Sequence, residues 1–149
     1  MPEPKQLTFL EKLAADKSDE QAIQLAKARR AVTAAEEQLA QLQQYETNYN
    51  LQLGEKLEAA MAIDALRGHH KFMQNIAHAV RQQELEVARR RAFADAIERV
   101  WRETERRRQG FKVMSNKLSA QVSRAETRRQ QKMNDDFAIR KMTRTNIGF

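Results

Sequence analysis

The chain has 149 residues, no cysteine, 6% aromatic and 32% charged residues, and a formal net charge of +7. That composition excludes a disulfide frame, thiolate chemistry and a Cys-based zinc site, and it is poor material for a thick globular core. The length fits one domain, and both prolines (Pro2 and Pro4) lie at the extreme N-terminus, so long uninterrupted helices are allowed.

The opening segment MPEPKQLTFLEKLAADK lacks the apolar core of a signal peptide, and no window approaches the ~20 apolar residues that a membrane-spanning helix needs. A cytoplasmic protein is the expectation. Thr8 reads as a helix N-cap, with Glu11 completing a capping box. A second start is open around Ser18 and Asp19. The first helix is expected from about residue 7 to about residue 60, irregular near Lys17–Glu20, with Gly54 inside it at a cost of about 1 kcal/mol relative to Ala.

Within this helix the steps of three and four from Leu25 land on Ala28, Val32, Ala35, Leu39, Leu42, Glu46, Tyr49, Leu53 and Leu57. Nearly every stop is apolar, and Gln, Glu, Lys, Arg and Ala fill the intervals. This is the a/d pattern of a coiled coil. So narrow a stripe needs a second helix of matching period.

The turn is weakly marked. The reversal is placed within residues 58–66, with Asp64 as the next N-cap and Gly68 as a second candidate for the turn. The heptad then resumes at Met73, Ile76, Val80, Gln83 and Val87. It continues through Arg90, Ala94, Ile97, Trp101 and Thr104, and then through Arg108, Phe111, Ser115, Leu118, Val122 and Ala125. Arg90, Arg108 and Ser115 are poor core residues and predict a looser seam there, with Arg stems along it and heads in water. Gly110 adds a soft spot. The second helix is expected from about residue 64 to about residue 140, and at ~1.5 Å per residue it would reach about 100 Å. The fold class predicted is all-α: a single domain forming a long antiparallel two-helix coiled coil.

A turn centred near residue 63 pairs residues whose numbers add to about 126. Tyr49 then lies near Ala77, Leu42 opposite Glu84, Leu25 opposite Trp101, and Leu7 near Ser119. The last ~28 residues have no partner in such a hairpin. They are basic, with Met133, Phe137 and Ile139 or Arg140 on one side. An amphipathic extension of this kind frays, dimerises or binds something. Charge is uneven as well. Residues 1–66 carry seven Lys/Arg against eleven Asp/Glu, and residues 67–149 carry twenty against nine. An acidic first helix beside a basic second one favours their association and leaves positive charge for an acidic partner.

Catalytic signatures are missing: there is no Gly-rich phosphate loop, no G-x-S-x-G and no H-E-x-x-H. A two-helix architecture has no pocket to desolvate a catalytic pair. We therefore expect a non-enzymatic protein without cofactor or small-molecule substrate. His69, His70 and His78 read as solvated or partner-facing residues near the hairpin tip rather than metal ligands. The runs Arg89–Arg91, Arg106–Arg108 and Arg128–Arg129 could neutralise phosphates. They are interleaved with acids and spread around the helix, so no nucleic-acid partner is expected.

The informative exposed set sits beside the seam. Gln38, Leu42, Tyr45 and Tyr49 follow i, i+4, i+7, i+11, and Phe72, Ile76, Ala79 and Gln83 follow the same spacing. Brought to one level of the hairpin, they form a composite apolar and aromatic patch. Such residues are common interface anchors, and equally they could lean over the seam and thicken a thin core.

The segment Ala35-Glu36-Glu37-Gln38-Leu39, then Leu42, Tyr45 and Tyr49, then Phe72, Ile76 and Ala79, then Val100-Trp101-Arg102, then Arg129 through Phe137, resembles the FliJ family of flagellar export proteins. The order, spacing and total length carry the resemblance. It implies an antiparallel coiled coil similar to the gamma-subunit stalk of rotary ATPases. It further implies a role in the flagellar type III export apparatus, at the cytoplasmic face of the inner membrane. The expected partners are the hexameric export ATPase, whose ring assembly such proteins promote, the membrane export gate protein and the export chaperones. The gate-contacting surface of the family matches Gln38, Leu42, Tyr45, Tyr49, Phe72, Ile76 and Ala79. Gln83 stands last in that stripe, where some relatives are expected to carry histidine. The ATPase-facing end is expected to involve Leu7, Leu10, Leu13, Arg128, Arg129, Lys132 and Phe137. The alternatives are the equivalent stalk of a virulence secretion injectisome and, from another class, a basic coiled-coil nucleic-acid-binding or scaffold protein.

Overall fold

The computed structural model describes residues 3–58 and 62–147. Two α-helices account for them: α1, Pro4–Glu58, of 55 residues, and α2, Ile63–Ile147, of 85 residues. They pack against each other as a helical hairpin, so the chain is an all-α coiled coil.

The helix ends differ from expectation for local reasons. Pro4 occupies the first turn of α1, where its missing N–H costs nothing. The Leu7 backbone N–H already donates to the Glu3 carbonyl at 3.0 Å, and Gln6 Oε1 accepts from the Glu3 N–H at 3.3 Å. Gln6 thus fills the role assigned to Glu11. Thr8 is no cap, because its hydroxyl donates to the Pro4 carbonyl one turn back. α1 also passes through Lys17–Glu20 without a break, and Ser18 is buried at 2% exposure rather than starting a helix. Residues 59–61 of the expected reversal lie outside the described residues. α2 begins at Ile63, with the Leu66 N–H donating to the Ala62 carbonyl, so Asp64 lies in the first turn rather than capping it. Gly68 is helical and makes no turn.

The described residues divide into two compact units, Ser18–Glu103 and Met1–Lys17 with Thr104–Phe149. In Ser18–Glu103, α1 buries Leu25, Ala28 and Ala35, and α2 buries Ile76, Val80, Val87 and Ala94. The intervening heptad stops, including Val32, Leu39, Leu53 and Met73, are half-buried. The seam is therefore one side chain deep, and in this unit the a/d reading holds wherever side chains are described; Leu57 lies outside that set.

The register within this unit is shifted from the expected one. Tyr49 meets His69 and Phe72 rather than Ala77. Gln83, not Glu84, faces α1 at this level: its Nε2 donates to the Ala35 carbonyl at 3.0 Å and to Gln38 Oε1 at 3.2 Å. The physical reason is the position of the reversal. α1 is described to Glu58 and α2 from Ile63, so the helices pair about a point earlier than the assumed centre at residue 63. Arg90 is also handled differently. Its side chain stays 38% exposed, and its guanidinium also donates to the Ala31 carbonyl of α1 at 3.0 Å and to Glu86 at 2.9 Å. A charged group is kept in the seam by satisfying its donors.

In the unit Met1–Lys17 with Thr104–Phe149, α1 buries Leu7 and Ala14, and α2 buries Thr104. Phe111, Ser115 and Leu118 are half-buried. From residue 119 to residue 145 every side chain is exposed. Val122 and Ala125 therefore carry the heptad pattern without a seam, and Val122 is 51% exposed. α2 nevertheless stays helical to Ile147, beyond the expected end near residue 140.

Candidate protein-docking site

The heptad places Tyr45 and Phe72 one step off the seam on the same edge of the hairpin, and the register brings them together. Their rings meet edge to face, with centroids 6.4 Å apart and planes at 77°. Phe72 also packs on Tyr49 at 4.8 Å and 59°. Each geometry is a favourable quadrupole arrangement, and such pairs are worth about 0.5–1.5 kcal/mol beyond their buried area. Tyr49 in turn lies 5.6 Å from the His69 ring, and its hydroxyl is hydrogen-bonded to His69 Nδ1.

The eight residues read from the sequence fall into three groups. Gln38, Tyr45 and Phe72 are exposed; Leu42, Tyr49, Ala79 and Gln83 are half-buried; Ile76 is buried in the seam. Tyr45 at 52% and Phe72 at 39% exposure are the large apolar surfaces available to a partner. Ile76 lies in the seam one turn along α2 from Phe72, and Gln83 donates to the Ala35 carbonyl of α1 and to Gln38. His69 was missed as a member of the cluster. The signal was its spacing, since 69, 72 and 76 follow the i, i+3, i+7 rule of one helix face.

Of the terminal residues read as a second surface, Leu7 is packed inside and Leu10 is half-buried. Leu13, Arg128, Arg129, Lys132 and Phe137 are exposed. Phe9, 66% exposed and one turn before Leu13, is a further exposed apolar side chain that the sequence reading passed over. The arginine run at 89–91 disperses around α2: Arg89 and Arg90 bind Glu86, and Arg91 reaches Glu36 across the seam at 2.6 Å. No group of three or more His, Asp or Glu among the described residues could hold a metal ion.

The family described as Flagellar FliJ protein matches residues 4–146, the full extent of both helices but for one residue. The chain belongs to the flagellar FliJ family. It is 30% identical over 134 residues to the flagellar FliJ protein of Salmonella typhi, covering 90% of this chain and 91% of that one. To the flagellar FliJ protein of Escherichia coli K12 it is 28% identical over the same span. No solved structure matches the chain significantly. FliJ-family membership makes it a component of flagellar protein export. Among the described residues no helix is long and apolar enough to cross a membrane.

Proposed function

We propose that this FliJ-family chain is the non-enzymatic stalk of the flagellar type III export apparatus. In this reading it binds the centre of the export ATPase hexamer, promotes ring assembly and hydrolysis, and engages the membrane export gate protein at the inner membrane. It also takes part in the cycling of export chaperones. The observation that carries the reading is the continuation of α2 as helix through residues 119–145 with every side chain exposed. Seven Lys/Arg and the exposed Met133, Phe137, Ile139 and Met142 lie on that segment. A helix this exposed needs a partner surface to stabilise it, and a ring lumen supplies one.

The mechanism is allosteric and involves no covalent step. One chain inside a six-fold ring cannot contact six subunits alike. It therefore biases which subunit interface adopts the hydrolysing state, by its differential affinity for the alternatives. Contact with several subunits also favours the assembled ring by mass action. The test is ATP hydrolysis and ring assembly by the cognate export ATPase, with the full chain and with a chain truncated after Val122. Stimulation by the full chain and its loss on truncation is the expected result. A fully active truncation would remove the exposed helix from the mechanism.

A further inference from the structure

The seam has two edges, and only one carries the aromatic cluster. On the other, heptad-equivalent positions recur every seven residues: Arg29, Glu36, Gln43 and Asn50 on α1, and Glu98, Arg91, Glu84, Ala77 and His70 on α2. In the middle of the unit this edge is latched. Arg29 pairs with Glu98 at 3.1 Å and Glu36 with Arg91 at 2.6 Å, bridging a smaller open groove of about 260 Å³ over Val32 and Ala94.

Toward the hairpin tip the latches stop. Asn50, Ala77 and His70 replace the ionic residues, and the edge opens into an apolar groove of about 760 Å³ lined by Leu53, Leu66 and Met73. A second, smaller groove by Glu46, Asn50, Met73 and Ala77 continues it along the same edge, so the lining is cationic at the Arg67 and Lys71 end and carries one carboxylate at the other. Two cations, Arg67 and Lys71, line the α2 side. Both are exposed, and neither has a carboxylate partner among the described residues. Among the described residues no ion pair closes the edge from Gln43 and Glu84 to the tip, and between Leu53 and Met73 its walls are apolar.

We infer that this open edge is a helix-docking groove, and that its occupant is an amphipathic helix of another protein bearing carboxylates on one flank. From Leu66 to Ala77 the groove spans about 17 Å, or three helical turns. That length accepts apolar residues at i, i+3 or i+4, and i+7. Met73 adapts its shape to such knobs. The carboxylates meet Arg67 and Lys71, which sets the helix direction and rejects basic helices. The occupant completes a local three-helix bundle and covers surface that α1 and α2 cannot cover themselves. This inference is independent of the stalk reading, because it concerns the opposite edge from Tyr45 and Phe72.

The probe is a fluorescein-labelled helical peptide of about 18 residues with Leu at heptad a and d positions and Glu at the flanking ones. Its control carries Lys in place of every Glu. Anisotropy with the full chain is expected to show micromolar binding of the Glu peptide and at least tenfold weaker binding of the Lys peptide. Asn50→Glu with Ala77→Arg, which rebuilds the latch, is expected to weaken the Glu peptide at least tenfold. Arg67→Glu with Lys71→Glu, which changes only exposed side chains, should do the same at unchanged helicity. Tyr45→Ala should leave binding intact. Equal affinity for the two peptides, insensitivity to both double variants, or no binding up to ~1 mM overturns the inference. So does a wild-type dimer by sedimentation that the rebuilt latch makes monomeric, since the groove would then belong to a second copy.

Discussion

At the scale of single residues the thin seam makes each side chain's surroundings decisive. Gly54 and Gly110 lie within helices, and a Cβ added at either meets nothing within 4 Å. Gly110→Ala and Gly54→Ala should therefore each raise stability by about 0.5–1 kcal/mol in urea unfolding, by reducing the freedom of the unfolded chain. A loss of stability would show that the helix needs the flexibility. Gln21 buries its Oε1, and Trp101 its Nε1, without a hydrogen-bond partner. Gln21→Leu should stabilise by about 1 kcal/mol, because it removes an unpaired acceptor and keeps the volume. The aromatic cluster is a different case. Tyr45 and Phe72 expose much of their rings while contacting each other. Replacing both by Ala should weaken binding of the export gate protein more than tenfold and leave far-ultraviolet dichroism almost unchanged. A large loss of helicity instead would make them core residues.

At the scale of the elements, two helices meet along one stripe and the flanks adjust their fit. The ion pairs Arg29–Glu98 and Glu36–Arg91 cross between helices but stay largely in solvent. Glu36→Gln is therefore expected to cost less than ~1 kcal/mol at low salt, and nothing measurable in 1 M salt. A larger, salt-resistant loss would mean that Arg91 is held by more than its charge. The heptads read from the sequence are the ones that bury, from Leu25 to Leu53 and from Met73 to Leu118. Spacing alone carries that information, because a period near 3.5 residues returns to the same face of a helix. The helix ends carried less. Thr8 and Asp64 look like caps, yet each lies inside the first turns because the helices start earlier, at Pro4 and Ile63.

At the scale of the whole chain, residues 119–145 extend α2 with no buried side chain. Truncation after Val122 should thus remove helicity in proportion to length and shift the thermal midpoint only slightly, in contrast to its expected effect on ATPase stimulation. A marked drop in midpoint would mean that the extension stabilises the paired seam. The positive surplus of residues 67–149 lies along the whole of α2, and its exposed end carries seven Lys/Arg against three Asp/Glu.

The all-α class, the two helices and their apolar stripes were determined by the sequence alone. Hydrophobic period, the confinement of Pro2 and Pro4 to the N-terminus and the absence of a competing core leave no other way to bury those residues. The order of the Tyr45, Tyr49, Phe72 and Trp101 motifs carried the family as well. Tertiary structure decided the register. A period of seven is satisfied equally well by several alignments, and only the place of the reversal selects among them. That choice set Phe72 on Tyr49, turned His69 to the Tyr49 hydroxyl and hydrogen-bonded Arg90 to the Ala31 carbonyl. It also decided where Arg91 and Glu98 find partners and where, beside Ala77, the edge stays open. Contacts between distant residues depend on which turn of one helix faces which turn of the other, and no local pattern encodes that.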